Sequence, residues 1–240
     1  MEFSDITKQA RKLLKLKYCG AVIVAAGSAS RMGGIDKVMA ELDGEPMIVH
    51  SVRAFQNCDA IKEIVVVTRQ DLIAPIMELC QEFDKVQAVV IGGKSRPESV
   101  AIGLSALSDN AKLAAIHDGA RPLITLNVID RTVRAANSYG AAAPGIPVKD
   151  TVKRVVGGIV QETPDRSMLQ AVQTPQVFDI DLLQAALEKA AADKAQITDD
   201  CSAVERLGMS VRIVEGDECN IKVTTPLDLT LAEALLEEKR

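Results

Sequence analysis

Aromatic side chains are scarce in this chain: four Phe, two Tyr and no Trp in 240 residues. Proteins that hold single-stranded nucleic acid stack bases on aromatic rings, so that class loses its main tool. Positive charge is not in excess either. The formal net charge of −5 supplies no overall basic field for a phosphate backbone. Histidine and cysteine number only two and five. Cys19, Cys58, Cys80, Cys201 and Cys219 form no C-x-x-C pair and have no His close by, so zinc, haem and iron–sulfur sites lack ligands. No apolar run reaches the ~18 residues that a membrane-spanning helix needs. Residues 1–18 carry several Lys and Arg but no apolar stretch long enough for a secretory signal. An odd cysteine count without an export signal points to a reducing cytoplasm. The chemistry must therefore run on Asp, Glu, Lys, Arg, Ser, Thr and backbone amides.

What is present suits a packed globular protein. Hydrophobic residues make up 48% and charged residues 25% of the chain, which excludes long disorder and fibrous architectures. No repeat, low-complexity tract or Pro/Ser-rich linker divides residues 1–240, so a single domain is expected. Residues 1–18 read as a helical extension, with Ile6, Ala10, Leu13 and Leu14 at helical spacing behind a Ser4 or Asp5 cap. Short runs rich in Val, Ile and Ala then alternate with helical-period segments. The expected strands are 21–26, 64–68, 86–91, 113–117, 141–147, 172–178, 211–214 and 221–224. The expected helices are 47–55, 72–83, 98–107, 126–138, 180–192, 201–207 and 227–238, with Ser95 and Glu98 forming one cap and Thr225 and Pro226 another. Strands alternating with helices predict an α/β fold with a mostly parallel sheet covered on both faces. Continuous apolar runs such as AVIVAA and VQAVVI are what doubly buried strands look like.

One segment, about 148–168, breaks the alternation. Two β-type runs, 152–156 and 159–163, flank Gly157-Gly158 and read as a protruding hairpin arm. An isolated hairpin is marginal in water, so the arm needs support, and a second copy of the chain making a homodimer is the expected one.

In a parallel α/β sheet, ligands sit at the carboxyl ends of the strands. After the first strand comes a small, flexible, cationic loop from Gly27 to Lys37 that includes Arg31. Its backbone amides and two cations could hold an anion, and the same residues also suit an ordinary turn with solvated charges. It lacks the G-x-G-x-x-G fingerprint, with Ala29 and Met32 where glycines would stand. A phosphate loop ending at Gly93-Lys94-Ser95 fails too, because Ala88 replaces its first glycine. The fourth strand ends in HDGARP, where Asp118 suits a hard cation such as Mg²⁺ or simply a turn before Pro122. His117 reads as a packing or locally bonded residue, since no second His or activated Ser or Cys accompanies it. In Asn220-Ile221-Lys222-Val223-Thr224, Lys222 lies on a polar stripe and serves either edge protection or phosphate binding.

The runs AAGSASRMG with Lys37, GGKSRPESV, HDGARP, PVKDTVKR, QTPQVF, ITDDCSAVE and NIKVTTPLDL occur in one order along the chain. Together they resemble the 2-C-methyl-D-erythritol 4-phosphate cytidylyltransferases of non-mevalonate isoprenoid biosynthesis, from Ala21 to about Leu236. The resemblance implies a Rossmann-like nucleotidyltransferase domain, a homodimer joined through the arm, and Mg²⁺-dependent joining of CTP to methylerythritol phosphate. By motif position it implies Arg31, Lys37 and Lys222 at the triphosphate as catalytic cations. Asp118 would lie beside the ribose and metal. Ala25, Ala26, Gly27, Gly93 and Ser99 would surround the cytosine, and Arg121, Thr151, Arg166 and Thr174 would meet the sugar phosphate, some of them from the partner's arm. Asp199 and Asp200 are expected first as a helix cap. The ribitol 5-phosphate cytidylyltransferases share several of these motifs and are the alternative enzyme reading, from which Ala25, Ala26 and Ala120 separate this chain. A catalytically silent nucleotide-binding dimer module is the non-enzymatic alternative. Asp36, where the family usually has Pro, would offset part of the loop's positive charge.

Overall fold

A computed structural model describes residues 16–27 and 36–238 of the chain. Residues 1–15 of the expected N-terminal helix and Arg31 lie outside these residues, and residues 16–18 are not helical. Eight strands form the main sheet: β1 (Cys19–Val24), β4 (Ile61–Thr68), β5 (Val86–Ile91), β6 (Leu113–Asp118), β7 (Ala141–Pro147), β10 (Gln170–Val172), β11 (Gln176–Asp179) and β12 (Arg212–Glu215). Four small strands stand apart as two pairs, β2 (Glu41–Leu42) with β3 (Glu45–Pro46), and β8 (Arg154–Val156) with β9 (Ile159–Glu162). The main order is β10-β7-β11-β6-β1-β4-β5, with β12 on the other side of β7. β1 runs parallel to β4 and β6, β4 to β5, and β7 to β12, while β10 and β11 are antiparallel insertions.

Registration explains why one edge becomes a site. Val24 pairs with Val67 on one side and with Asp118 on the other, so the loops after β1, β4 and β6 leave the sheet side by side. Their strands are held by burial on both faces. Ala21, Ile23, Ile64 and Val66 pack into one core cluster, and the intervening Val22, Val65 and Val67 into the other. Each such side chain removed from water contributes roughly 1.5–3 kcal/mol.

Among the described residues there are seven α-helices: α1 (Met47–Gln56), α2 (Ile73–Leu79), α3 (Arg96–Ser105), α4 (Leu126–Tyr139), α5 (Ile180–Ala192), α6 (Asp200–Glu205) and α7 (Pro226–Glu238), the last packed near the β2–β3 pair in a separate small cluster. α3 begins two residues before the expected start, because the Ser95 hydroxyl accepts from the Glu98 amide and Pro97 occupies the first turn. α2 is shorter than expected: a 3₁₀ turn over Gln70–Leu72 precedes it, and after Leu79 a turn carries Phe83 into the core instead of continuing the helix.

Two strand expectations need correction. The 172–178 run is two strands, β10 and β11, interrupted where Pro175, which has no amide hydrogen for the ladder, follows Thr174 through a cis peptide. The 221–224 run is extended but lies on no strand; its Val223 amide donates to the Ala120 carbonyl of the loop after β6. In the 148–168 segment a short hairpin forms, its strands narrower than the expected 152–156 and 159–163. Gly157 and Gly158 take φ of 58° and 81°, the left-handed pair that a two-residue hairpin turn demands.

Candidate active site

A cavity of about 290 Å³ opens at the carboxyl edge of β1, β5 and β6, between the loop at Ala25–Gly27, the N-terminus of α3 and the 220–224 segment. A larger one, about 580 Å³, lies between α3 and α5, but its walls are mainly apolar and Lys194 is its only basic residue. The smaller cavity holds the charge. Lys37, Lys94, Arg96 and Lys222 line it, and Asp118 is its one acidic residue.

Asp118 ends β6 and is mostly buried, with 8% of its surface exposed. Lys222 Nζ sits 2.7 Å from its Oδ2, Arg96 Nε 3.5 Å from its Oδ1, and Arg121 Nε 3.8 Å from Oδ2. Burial alone would raise this carboxyl, but Lys222, Arg96 and Arg121 outweigh it and hold the group down to about 2. It therefore stays ionised at any ordinary pH. Arg121 feels the opposite balance: desolvation lowers its affinity for the proton more than Asp118 restores it. Its Nη1 donates to the Asn220 carbonyl at 2.6 Å, while its buried Nε has no hydrogen-bond partner among the described residues. That Nε faces the Asp118 carboxylate at 3.8 Å, and Arg121 is not among the cavity's lining residues.

Beneath Asp118 lies His117, fully buried and tilted against Phe55 with ring centroids 4.8 Å apart. Its Nε2 is 3.2 Å from the Arg121 carbonyl, which can only accept, so Nε2 carries the proton and Nδ1 is the acceptor. The Thr174 hydroxyl, 3.0 Å from Nδ1, must then donate to it, and the same oxygen accepts from the Asp118 amide at 3.1 Å. Burial is the main cause of the imidazole's fall to about 4, outweighing Asp118. His117 is thus a neutral, locally bonded residue.

These contacts redefine several expected roles. Lys37, Ala25, Ala26, Gly27, Gly93, Ser99, Asp118 and Lys222 all meet at the cavity. Arg121 adjoins it through Asp118. Thr174, expected against the sugar phosphate, has its hydroxyl hydrogen committed to His117 and serves to hold Asp118. Ser99 is similarly engaged: its hydroxyl accepts from the Gly93 amide and donates to the Ser95 carbonyl, which sets the loop before α3. The Ala25 amide is bound to the Val67 carbonyl. Thr151 and Arg166 lie on the arm and its base, exposed and away from the cavity lining, with Arg166 donating to the Lys149 carbonyl. Asp36 does not offset Lys37 alone; its carboxylate lies 2.5 Å from Arg69, which also reaches the Gly27 carbonyl at 3.4 Å.

Arg96 has no role among the expected site residues, and Asp200 is expected first as part of a cap. Asp199 does cap α6, in a reciprocal capping box with Ser202. Asp200 is the buried member: it is fully enclosed and takes Arg96 Nη2 at 2.8 Å, so Arg96 bridges two carboxylates. Burial raises the Asp200 carboxyl despite Arg96, while Asp200 and Asp118 together raise Arg96 against its own desolvation. The available signal was a second Asp where a cap needs only one.

A parallel α/β sheet whose carboxyl edge gathers small-residue loops and several cations around a single carboxylate is the architecture of a nucleotidyltransferase, an enzyme that handles a nucleoside triphosphate through its phosphates. Similarity to known proteins narrows the class. A sequence model of the 2-C-methyl-D-erythritol 4-phosphate cytidylyltransferases matches residues 19–238. The enzyme of that name from Caldanaerobacter subterraneus is 44% identical over 227 residues, covering 91% of this chain and 98% of its own. Among solved structures, 4-diphosphocytidyl-2C-methyl-D-erythritol synthase from Anaerococcus prevotii superposes with a TM-score of 0.85 at 32% identity, covering 94% of this chain and 99% of its own. The Thermus thermophilus cytidylyltransferase gives a TM-score of 0.75 at 31% identity, with coverage of 92% and 99%. The chain belongs to the 2-C-methyl-D-erythritol 4-phosphate cytidylyltransferase family.

Proposed function

We propose that the chain joins CTP and 2-C-methyl-D-erythritol 4-phosphate, giving 4-diphosphocytidyl-2-C-methyl-D-erythritol and pyrophosphate for isoprenoid precursor synthesis. The observation that carries this reading is the cationic cavity around Asp118 in a chain of this family.

The chemistry asks for charge management. The sugar phosphate is already an anionic nucleophile, so neither a general base nor a covalent intermediate is required. What opposes the reaction is repulsion: two unit charges 4 Å apart interact with about 4 kcal/mol at an effective dielectric of about 20. Lys222 is placed to relieve it. An ammonium group has three N–H donors, so Lys222 can keep Asp118 and still offer hydrogens to the α-phosphate. Lys37, with Arg31 from outside the described residues, would hold the β- and γ-phosphates and the leaving pyrophosphate. The nucleotide's base would lie against Ala25, Ala26, Gly27 and the Gly93 loop, whose small residues permit close backbone approach. Arg121, which adjoins the cavity through Asp118, would meet the sugar phosphate, joined by Thr151 and Arg166 from a partner's arm in a homodimer.

Magnesium fits this donor set in one arrangement. Among the described residues, Asp118 is the only carboxylate lining the cavity and no group of three metal-ligating side chains exists. A hard cation that takes one carboxylate and completes its shell with phosphate oxygens and water matches that supply. When bound, Mg²⁺ would withdraw charge from the triphosphate; the residues above still position both reactants. Among the described residues, no helix is long and apolar enough to cross a membrane. The five free cysteines suit a reducing cytoplasm.

Pyrophosphate release tests the reading. It is expected with CTP and methylerythritol phosphate together, and not with ribitol 5-phosphate in its place. Release with ribitol 5-phosphate alone would move the chain to that sister activity, and release with neither acceptor would overturn the assignment.

A further inference from the structure

Lys222 and Arg121 are far apart in sequence, yet one short loop registers both. Arg121 Nη1 donates to the Asn220 carbonyl at 2.6 Å, and Lys222, two residues further on, reaches Asp118. The loop 217–220 is not part of any strand. Inside it the Cys219 amide donates to Asp217 Oδ1 and the Asn220 amide to the Asp217 carbonyl, and what ties this turn to the strands beneath Asp118 is the side chain of Gln173, in the break between β10 and β11. Gln173 Nε2 donates to the Asp217 carbonyl at 2.8 Å and to the Asn220 carbonyl at 3.4 Å. Its Oε1 accepts from the Asp217 amide at 3.2 Å and from Asn220 Nδ2 at 3.4 Å. Asn220 Nδ2 also donates to the Thr174 carbonyl at 2.9 Å. An amide of Asp217 beside one end of the Gln173 carboxamide, and its carbonyl beside the other, leave only one orientation of that group.

The surroundings reinforce this fit. Gln173 and Asn220 are almost entirely buried, where an unmade hydrogen bond costs about 1–3 kcal/mol. A methyl at Gly216 would stand 2.6 Å from Gln173 Oε1, so that residue must stay small for the amide to enter. The Gln173 backbone amide is itself anchored to the Pro144 carbonyl on β7.

We propose that Gln173 is a positioning residue for the transfer reaction: by fixing loop 217–220 it sets the places of Lys222 and Arg121 together. It acts through those cations and touches neither substrate. The inference rests on the reaction proposed above. Gln173 was unassigned in the sequence reading, although its motif was recognised.

The near-isosteric Gln173→Glu removes the donors to the Asp217 and Asn220 carbonyls while keeping the volume. It should lower kcat about tenfold or more and raise KM for the sugar phosphate, while KM for CTP changes less than about threefold. In a Lys222→Ala background the same change should cost less than about threefold further, because residues acting as one unit are not additive. Equal losses in both backgrounds, or wild-type kcat in the folded variant, overturn the proposal. Gly216→Ala, which pushes on the carboxamide without replacing it, should give the same pattern if Gln173→Glu does not fold. Amide exchange across 217–222 provides a readout independent of turnover: it should rise at least about tenfold in either variant while β1 is unchanged, and unaltered exchange contradicts the proposal. A wild-type enzyme inactive on CTP and methylerythritol phosphate would overturn the assigned reaction, and altered exchange would still separate the loop's dependence on Gln173 from that outcome.

Discussion

The cavity at the strand ends and the β8–β9 arm invert the usual arrangement of a soluble protein in opposite ways. At the cavity, Asp118 is a charged group nearly out of contact with solvent, and the half-buried Arg96 links it to the enclosed Asp200. On the arm, Val155, Val156, Ile159 and Val160 are apolar and all more than half exposed. Neither pattern stabilises this chain by itself: buried charges bear a desolvation cost that pairing roughly offsets, and exposed Val and Ile contribute little until covered. In the proposed function, phosphates would occupy the first and a second copy of the chain would cover the second. The contrast also shows where rigidity resides. The cavity is tied from below by His117, Thr174 and Gln173, whereas the arm has only its own ladder, an Arg154–Glu162 ion pair and a few contacts at its base.

Breaking the cavity side should give the largest effect. Lys222→Ala should lower kcat by about 10²–10³-fold, the usual cost of removing one group that stabilises developing charge. CTP binding by calorimetry should change much less, and turnover within threefold of wild type would remove Lys222 from its role. The buried imidazole gives the next effect. His117 is held at about 4, below its ordinary value near 6.5, so between those pH values the unfolded chain binds a proton that the folded one does not. Stability should fall by up to about 3 kcal/mol as pH drops through that window and be insensitive to this group above it. Urea unfolding of wild type and His117→Gln at several pH values checks this, since the variant should lose that part of the slope.

On the arm, Ile159→Asp should weaken self-association about 30-fold or more, as for an anchor at an interface centre, with native mass by light scattering falling to that of a monomer. A wild-type monomer at micromolar concentration would contradict the arm's assigned use outright. The smallest change is expected at the cavity rim. Arg69→Ala removes the Asp36 partner and should raise KM for CTP only about two- to fivefold, in line with the modest worth of a partly exposed ion pair. A kcat loss as large as that of Lys222→Ala would make the rim part of the catalytic machinery.

Much of this architecture was readable because burial leaves a periodic trace. The run that became β1 and the Ile64–Val67 stretch of β4 are apolar without interruption, and the hairpin announced itself through Gly157-Gly158; β5, expected as doubly buried, carries Gln87 and, at the end of the strand order, has no fully buried residue. Ser95 marked the start of α3 through its cap chemistry. Segments defined by tertiary partners were harder. Ile221–Thr224 alternates like a strand, but the neighbour it meets is the loop at Ala120, and nothing local says so. The site divides in the same way. Asp118 and Lys222 could be singled out as charges at apolar run ends, whereas Arg96, Asp200, Gln173 and Asn220 matter because long-range contacts bring them together. Arg96 and Asp200 are 104 residues apart, a pairing that no spacing rule reaches.

The central claim is that positioned cations, with no covalent step, carry the transfer. Rapid mixing of the enzyme with Mg²⁺ and CTP labelled in the α-phosphate, without any sugar phosphate, tests it most directly. The account predicts no burst of pyrophosphate and no label on the protein, with release beginning only when methylerythritol phosphate is added. A stoichiometric burst with CTP alone, leaving the label on the chain, would contradict it.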